Sequence, residues 1–248
     1  MHSFLIALQF LTRLPLNINV DWQAENVARS LLWYPVVGAL IGAMLFLLAS
    51  VMPDNHTLLV AALVLSGWVL VSGGLHLDGL ADSADAWLGS HGDRQRALDI
   101  MKDPQAGPAA VIALVLVLLL KFGAIVSLLE HNAVWLLIVP PLLARCVPLI
   151  LFMSTDYVRD QGLGRDMAEY FPHSAVQGVL LLAAIALLFL TGILNGLLLM
   201  AVALLVIWWL RALMIKHIGG MTGDTLGASI EIIEVVVLSM LVFLVSEL

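Results

Sequence analysis

From Ala175 to Leu210 the sequence carries no charged side chain, and shorter apolar windows run from about Trp33 to Met52, Thr57 to Leu75, Ala109 to Leu129, Ala133 to Met153 and Ser229 to Val245. A helix needs about 20 apolar residues to cross the hydrocarbon core of a bilayer, where every backbone polar group must be satisfied inside the segment. The zone from Ala175 to Leu210 is too long for one crossing, and Thr191-Gly192 with Asn195-Gly196 supplies a turn in its middle. The pattern therefore predicts an all-α polytopic membrane protein of about seven transmembrane helices. At 62% hydrophobic and 12% charged residues, with a mean hydropathy of +1.04, the composition lies far from that of soluble domains. The stretch Phe4 to Leu14 is too short to span and ends at Pro15, so it reads as an N-terminal segment lying at the interface, with Arg13 turned toward head groups or toward a site.

Charge placement supplies an independent check. Arg13 and Arg29 precede the first span, Arg94, Arg96 and Lys102 follow the second, Arg159 and Arg165 the fourth, and Arg211 and Lys216 the sixth. Only Lys121 and Arg145 fall elsewhere, inside spans. By the positive-inside rule the N-terminus is cytoplasmic, the C-terminus outside, and almost every polar motif faces the cytoplasm. The N-terminal residues lack the basic region and small-residue cleavage site of a secretory signal, so they are expected to be retained. No repeat or linker divides residues 1 to 248, which read as one domain. Gly38 and Gly42 have the spacing that lets membrane helices pack closely. A net charge of -7 excludes the basic footprint that nucleic acid requires. Cys146, the only cysteine, can form no intrachain disulfide.

The chemistry concentrates in two stretches. Gly73 to Asp85 reads Gly-Gly-Leu-His-Leu-Asp-Gly-Leu-Ala-Asp-Ser-Ala-Asp. Its carboxylates, Asp78, Asp82 and Asp85, are spaced to share one helix face. No Lys or Arg falls between Gly73 and Gly92 to offset them, whereas a solvated face would mix signs. A divalent cation held by oxygen donors, Mg²⁺ above softer metals, is the simplest counter-charge. His76 could donate to a phosphate or act as a general base. Gly219 to Glu234 reads Gly-Gly-Met-Thr-Gly-Asp-Thr-Leu-Gly-Ala-Ser-Ile-Glu-Ile-Ile-Glu and opens the last helix. Helix N-termini attract anions, glycines let backbone reach a phosphate, and Asp224 could reach a metal. Glu231 and Glu234 share a face near hydrocarbon, where carboxylates are costly and usually functional. Lys121 and Arg145, at about 2.5 to 3.5 kcal/mol each on insertion scales, should face the bundle and need anionic partners, which leaves open the acidic clusters, a purely structural role or a bound phosphate. Arg94, Arg96 and Lys102 surround a short helix that Asp93 can cap. Metal, cations and exposed backbone on one side suggest phosphoryl transfer.

The two long motifs, with Met-Lys-Asp103 before Gly107, Phe10-Leu-Thr-Arg-Leu-Pro15 and Tyr34-Pro35, resemble the cobalamin synthase family, the adenosylcobinamide-GDP ribazoletransferases, over the whole chain. The resemblance implies Mg²⁺-dependent transfer of adenosylcobinamide phosphate from adenosylcobinamide-GDP to α-ribazole or its 5′-phosphate, releasing GMP, by a multi-pass enzyme of a bacterial or archaeal cytoplasmic (inner) membrane. It implies Asp78, Asp82 and Asp85 as metal ligands and catalytic groups, with Asp224 beside them and His76 catalytic. It puts Lys102, Asp103, Arg145, Thr222, Gly223, Thr225, Glu231 and Glu234 at the substrate. Membrane lipid is the surrounding partner, and a homo-oligomer or a complex with other cobalamin-assembly enzymes fits the same picture. The acidic helix is also similar to the Asp-Gly-x-x-Ala motif of CDP-alcohol phosphatidyltransferases, with Asp82 where that motif has Arg. Ser83 and Ala86 stand where the family often has Thr and Gly, and Asp103 to Pro108 lacks its Ser and Thr. Rival readings are a phospholipid synthase of that second kind, a cation transporter using the same carboxylates, and an intramembrane aspartyl protease built on Gly223-Asp224.

Overall fold

The computed structural model describes residues 2–16, 18–52 and 56–245. The chain forms α1 (His2–Leu11), α2 (Ala24–Ser30), α3 (Tyr34–Ser50), α4 (Thr57–Ser72), α5 (Leu75–Gly89), α6 (Arg94–Ile100), α7 (Pro108–Glu130), α8 (Val139–Ala144), α9 (Val147–Ser154), α10 (Leu163–Glu169), α11 (His173–Thr191), α12 (Ile193–Ile218) and α13 (Gly223–Val245). Among the described residues there is no strand, only an isolated backbone bridge between Tyr157 and Met221.

Among the described residues, six helical stretches are long and apolar enough to cross a membrane: Ala24–Ser50, in which α2 runs through a 3₁₀ turn into α3, then Pro108–Glu130, Val134–Ser154, His173–Thr191, Ile193–Ile218 and Gly223–Val245. The α4 and α5 helices are long and apolar enough only when taken together, as a broken span or a re-entrant loop. Here the structure corrects the expected window. The apolar helix does not run on to Leu75 but stops at Ser72, where Gly73 (φ 63°) and Gly74 (φ 68°) adopt two successive left-handed conformations, open to glycine at little cost. The chain turns by 86° and α5 leaves the direction of the spans. The acidic helix is thus a separate element laid across the end of the bundle rather than the tail of a crossing. The first span also begins earlier than its apolar window, at Ala24, because Val27 and Ala28 already bury against the bundle. The turn expected in the long apolar zone falls at Gly192, whose φ of 80° separates α11 from α12.

The stretch Val134–Ser154 is the most buried of the spans. Pro148 has no N–H for the carbonyl of Ala144, so regular helix ends there and resumes at Val147. The break leaves Arg145 in the bundle interior, fully buried. Gly38 and Gly42 pack α3 against this same stretch: a Cβ at Gly38 would lie 2.2 Å from the Pro141 carbonyl oxygen, and one at Gly42 would lie 2.5 Å from the Ile138 Cα. The expected close packing is therefore present. Leu116, Leu119 and Leu120 on α7, Phe189 on α11 and Leu205 and Trp208 on α12 are exposed, forming the apolar surface that a bilayer covers.

α13 is the hub, packed against α5, α7, α8 and α12. Its first turns touch α5 backbone to backbone. A Cβ on Gly79 would lie 2.6 Å from the carbonyl oxygen of Asp224, and one on Gly227 would lie 3.3 Å from the Cα of His76. Gly42→Leu is expected to lower the thermal midpoint of detergent-solubilised protein, since overpacking against backbone costs about 1 to 3 kcal/mol. Gly123→Leu, where a Cβ meets nothing within 4 Å, should leave it unchanged.

Candidate active site

α5 carries Asp78, Asp82 and Asp85 along one helix, as the spacing predicts, and α13 brings the carboxylate of Asp224 to the same place. Asp78 is exposed, and Asp82, Asp85 and Asp224 are partly buried. Burial, and then the neighbouring charges of Asp78 and Asp224, push the Asp82 carboxyl up from its ordinary 3.8 to about 6, with Arg159 opposing them. The cluster is thus short of positive charge.

Two of the four carboxylates already have an occupation. Asp85 accepts from the backbone N–H of Gly107 at 2.5 Å and of Ala110 at 3.0 Å, which ties α5 to the start of α7 through the free N–H groups of a helix N-terminus. Gly107 is needed there, because a Cβ would lie 2.6 Å from the Asp85 carboxylate. Asp224 receives Arg159 Nη2 at 2.5 Å. Accordingly, among the described residues no group of three His, Cys, Asp or Glu side chains stands in a metal-ligating arrangement. The donor set nevertheless suits a hard cation: it is all oxygen, and each oxygen of Asp85 keeps a lone pair beyond its backbone bond.

Beneath the carboxylates lies a recess of about 170 Å³, walled by Phe10, Leu31, Tyr34, Phe152 and Leu226 and edged by His76, Asp78, Tyr157 and Asp224. His76 is 3% exposed, and Arg145 Nη2 lies 3.4 Å from its Nδ1. A guanidinium only donates, so Nδ1 accepts and the imidazole is neutral with its proton on Nε2. His76 is thereby a donor.

Five residues expected at the substrate are engaged within the protein. Glu231, Glu234 and Arg145 form a closed network with Lys121. Lys121 donates to Glu231 at 2.6 Å and to Glu234, Arg145 donates to Glu234, and all four are buried. Two positive and two negative charges balance, and Lys121 also sits 4.5 Å from the centre of the Trp68 ring. Of the partners open to Lys121 and Arg145, the structure takes the second acidic stretch, through Glu231 and Glu234. Thr222 and Thr225 are fully buried and cap α13 reciprocally: Thr225 N–H donates to Thr222 Oγ1 at 3.3 Å and Thr222 N–H to Thr225 Oγ1 at 2.9 Å. Gly223 remains exposed beside Asp224 and edges the recess. Lys102 and Asp103 are exposed at the end of α6, where Asp103 accepts from Gln105 N–H at 3.0 Å. Ser83 and Ala86, the two departures on α5, point into the protein: both are buried, and Ala86 packs with Ala97, Met101 and Ile218. They bear on helix packing rather than on an open substrate face.

Sequence reasoning counted Arg159 only as a topology determinant. Nothing local marks it, because its partner Asp224 lies 65 positions away. It is placed by the segment between α9 and α10, where Val158 N–H donates to the Met221 carbonyl and Met221 N–H to that of Asp156, each at 2.9 Å.

An open carboxylate cluster at one end of an all-helical membrane bundle, over a partly apolar recess, defines a multi-pass membrane protein with an acidic site. Its family follows from comparison. The family model for cobalamin-5-phosphate synthase matches residues 3–242, so the chain belongs to that family. It is similar to the adenosylcobinamide-GDP ribazoletransferase of Pseudomonas syringae pv. syringae (strain B728a), 51% identical over 98% of this chain and 100% of the relative. It is also 52% identical to the protein of the same name from Pseudomonas putida (strain GB-1), over 96% of this chain and 97% of that one. No solved structure matches.

Two outcomes follow from the electrostatics. Glu234→Gln strips the carboxylate shared by Lys121 and Arg145, and breaking a buried pair costs about 3 to 5 kcal/mol, so the yield of folded protein in membranes should fall sharply. Glu231→Gln, which leaves Lys121 bound to Glu234, should cost less. Asp82 binds its proton more tightly folded than unfolded, so it destabilises the fold increasingly as pH rises from its ordinary value through about 6. Asp82→Asn should therefore raise the unfolding midpoint at about pH 8 without divalent cations, and the gain should vanish below about pH 4.

Proposed function

We propose that this chain is an adenosylcobinamide-GDP ribazoletransferase, a Mg²⁺-dependent phosphotransferase that works at the cytoplasmic face of the inner membrane. It transfers adenosylcobinamide phosphate to α-ribazole or α-ribazole 5′-phosphate. A ribose hydroxyl of the acceptor attacks the phosphorus on the cobinamide side of the diphosphate, its proton passes to solvent water, the bridging P–O bond breaks, and GMP leaves with the bridging oxygen. The observation that carries this reading, beside family membership, is the gathering of Asp78, Asp82 and Asp224 from two helices into one charge-deficient cluster.

Asp78, Asp82 and Asp224 would hold Mg²⁺, with Asp85 contributing its remaining lone pairs while it keeps α5 tied to α7. The ion supplies charge neutralisation on the diphosphate and orientation for in-line displacement. His76 donates from Nε2 toward a substrate oxygen and is not the general base, since Arg145 occupies its only acceptor nitrogen. Lys102, exposed after α6, supplies a mobile positive charge for the nucleotide phosphate. Pockets that enclose a small molecule usually exceed about 300 Å³, so the recess takes one edge of the substrate while the corrin ring stays at the open face of the bundle. Cations cluster on the loops at this same end, which supports a cytoplasmic site, an N-terminus inside and a C-terminus outside.

Purified protein in vesicles, given adenosylcobinamide-GDP and α-ribazole 5′-phosphate, should release GMP with Mg²⁺ and none with excess chelator. Asp78→Asn should lower turnover by about 10²-fold, the usual scale for one electrostatic contact in a transition state, while leaving the protein folded. Mg²⁺-independent GMP release, or full activity of Asp78→Asn at limiting Mg²⁺, would remove the metal from the mechanism.

A further inference from the structure

Arg159 is the cation that faces the acidic cluster most directly. Its Nη2 lies 2.5 Å from Asp224 Oδ2, and its charge also acts on Asp82. Its Nε, by contrast, is buried with no hydrogen-bond partner. A guanidinium that had settled into a purely structural role would normally have its N–H groups satisfied, since a buried donor left unpaired costs about 1 to 3 kcal/mol. The side chain is nonetheless held at this spot. The two backbone bonds between 156–158 and Met221 fix its segment to the residues just before α13, and Gly220 leaves no space between them, since a Cβ there would lie 2.4 Å from the Asp156 carbonyl oxygen.

The pairing has a direct consequence for the cluster. Asp224 cannot offer the same oxygen to Arg159 and to a divalent ion, so the guanidinium and the metal compete. A diphosphate changes that balance, because its oxygens match the planar fork of arginine as well as a carboxylate does and carry more charge. We propose that Arg159 is a substrate-binding residue parked on Asp224: it exchanges Asp224 for the diphosphate of the activated substrate and so releases Asp224 to the metal. The inference rests on the proposed metal site and adds a coupling to it. Metal and diphosphate bind weakly apart and strengthen one another, and by linkage the coupling is reciprocal. The exchange also satisfies the orphan Nε–H, since a guanidinium engages an oxyanion through two parallel N–H groups. No bond is made or broken, and one ion pair becomes two.

The test is Mn²⁺ binding to the full-length protein in nanodiscs, counted from the EPR signal of the free ion, without any nucleotide. Arg159→Gln removes the competitor and should bind Mn²⁺ about tenfold more tightly than the parent, within the usual range of coupling. The same variant should lose turnover and show a raised KM for adenosylcobinamide-GDP that excess Mg²⁺ does not restore. Arg159→Lys keeps the charge but not the fork. It should bind Mn²⁺ much as the parent does yet still show the raised KM, which guards against a glutamine variant that folds poorly. If Mn²⁺ binds to the parent and equally to Arg159→Gln, the exchange is overturned and the metal site stands. If Mn²⁺ binds to neither, the metal reading of the aspartates fails and the exchange fails with it.

Discussion

Two glycines decide where everything polar in this protein meets. Gly79 on α5 and Gly227 on α13 allow the two helices to touch backbone to backbone, closer than any side chain would permit. That contact sets Asp78 and Asp82 beside Asp224 and brings His76 down onto Arg145. It works because α5 is not a membrane span. The left-handed pair Gly73-Gly74 turns the chain by 86°, so the acidic helix lies across the first turn of α13 instead of pointing away from it.

The same two helices separate charge into two regimes. Below the contact, Lys121, Arg145, Glu231 and Glu234 are buried and balanced. In low dielectric an unpaired charge is so costly that such a group must find its partners inside the bundle. Above it, Arg159 faces Asp224 and Asp82 while Asp78 and Asp85 stand nearby, and the imbalance survives because none of these carboxylates is fully buried. The closed network stiffens α13 and orients His76 from behind. The open cluster is left short of positive charge. His76 joins the two, buried against Arg145 on one side and lining the recess on the other.

Family membership narrows the reading of this geometry. A carboxylate cluster at a membrane surface also fits cation transport or phospholipid head-group transfer, and neither the fold nor the charges alone choose between them. Similarity to ribazoletransferases across nearly the whole chain makes the choice. An exposed apolar belt on α7, α11 and α12 suits the protein to the bilayer.

Apolar windows, turn residues and the spacing of Asp78, Asp82 and Asp85 were legible in the sequence because they follow from local rules: the thickness of hydrocarbon, the periodicity of a helix and the freedom of glycine. The membership of the acidic cluster was legible as well, Asp224 included, since both motifs are contiguous. What each buried charge does was not. Glu231, Glu234 and Arg145 read as substrate ligands on motif position alone, yet they pair with Lys121 and with one another between α13, α7 and the break after α8. Thr222 and Thr225 likewise read as substrate contacts, and in the structure they close a helix end. Arg159 carried no local mark at all. Pairings of that kind depend on which helix faces which across the bundle, and that is decided by the packing of whole helices against one another, a property no single stretch of the chain contains.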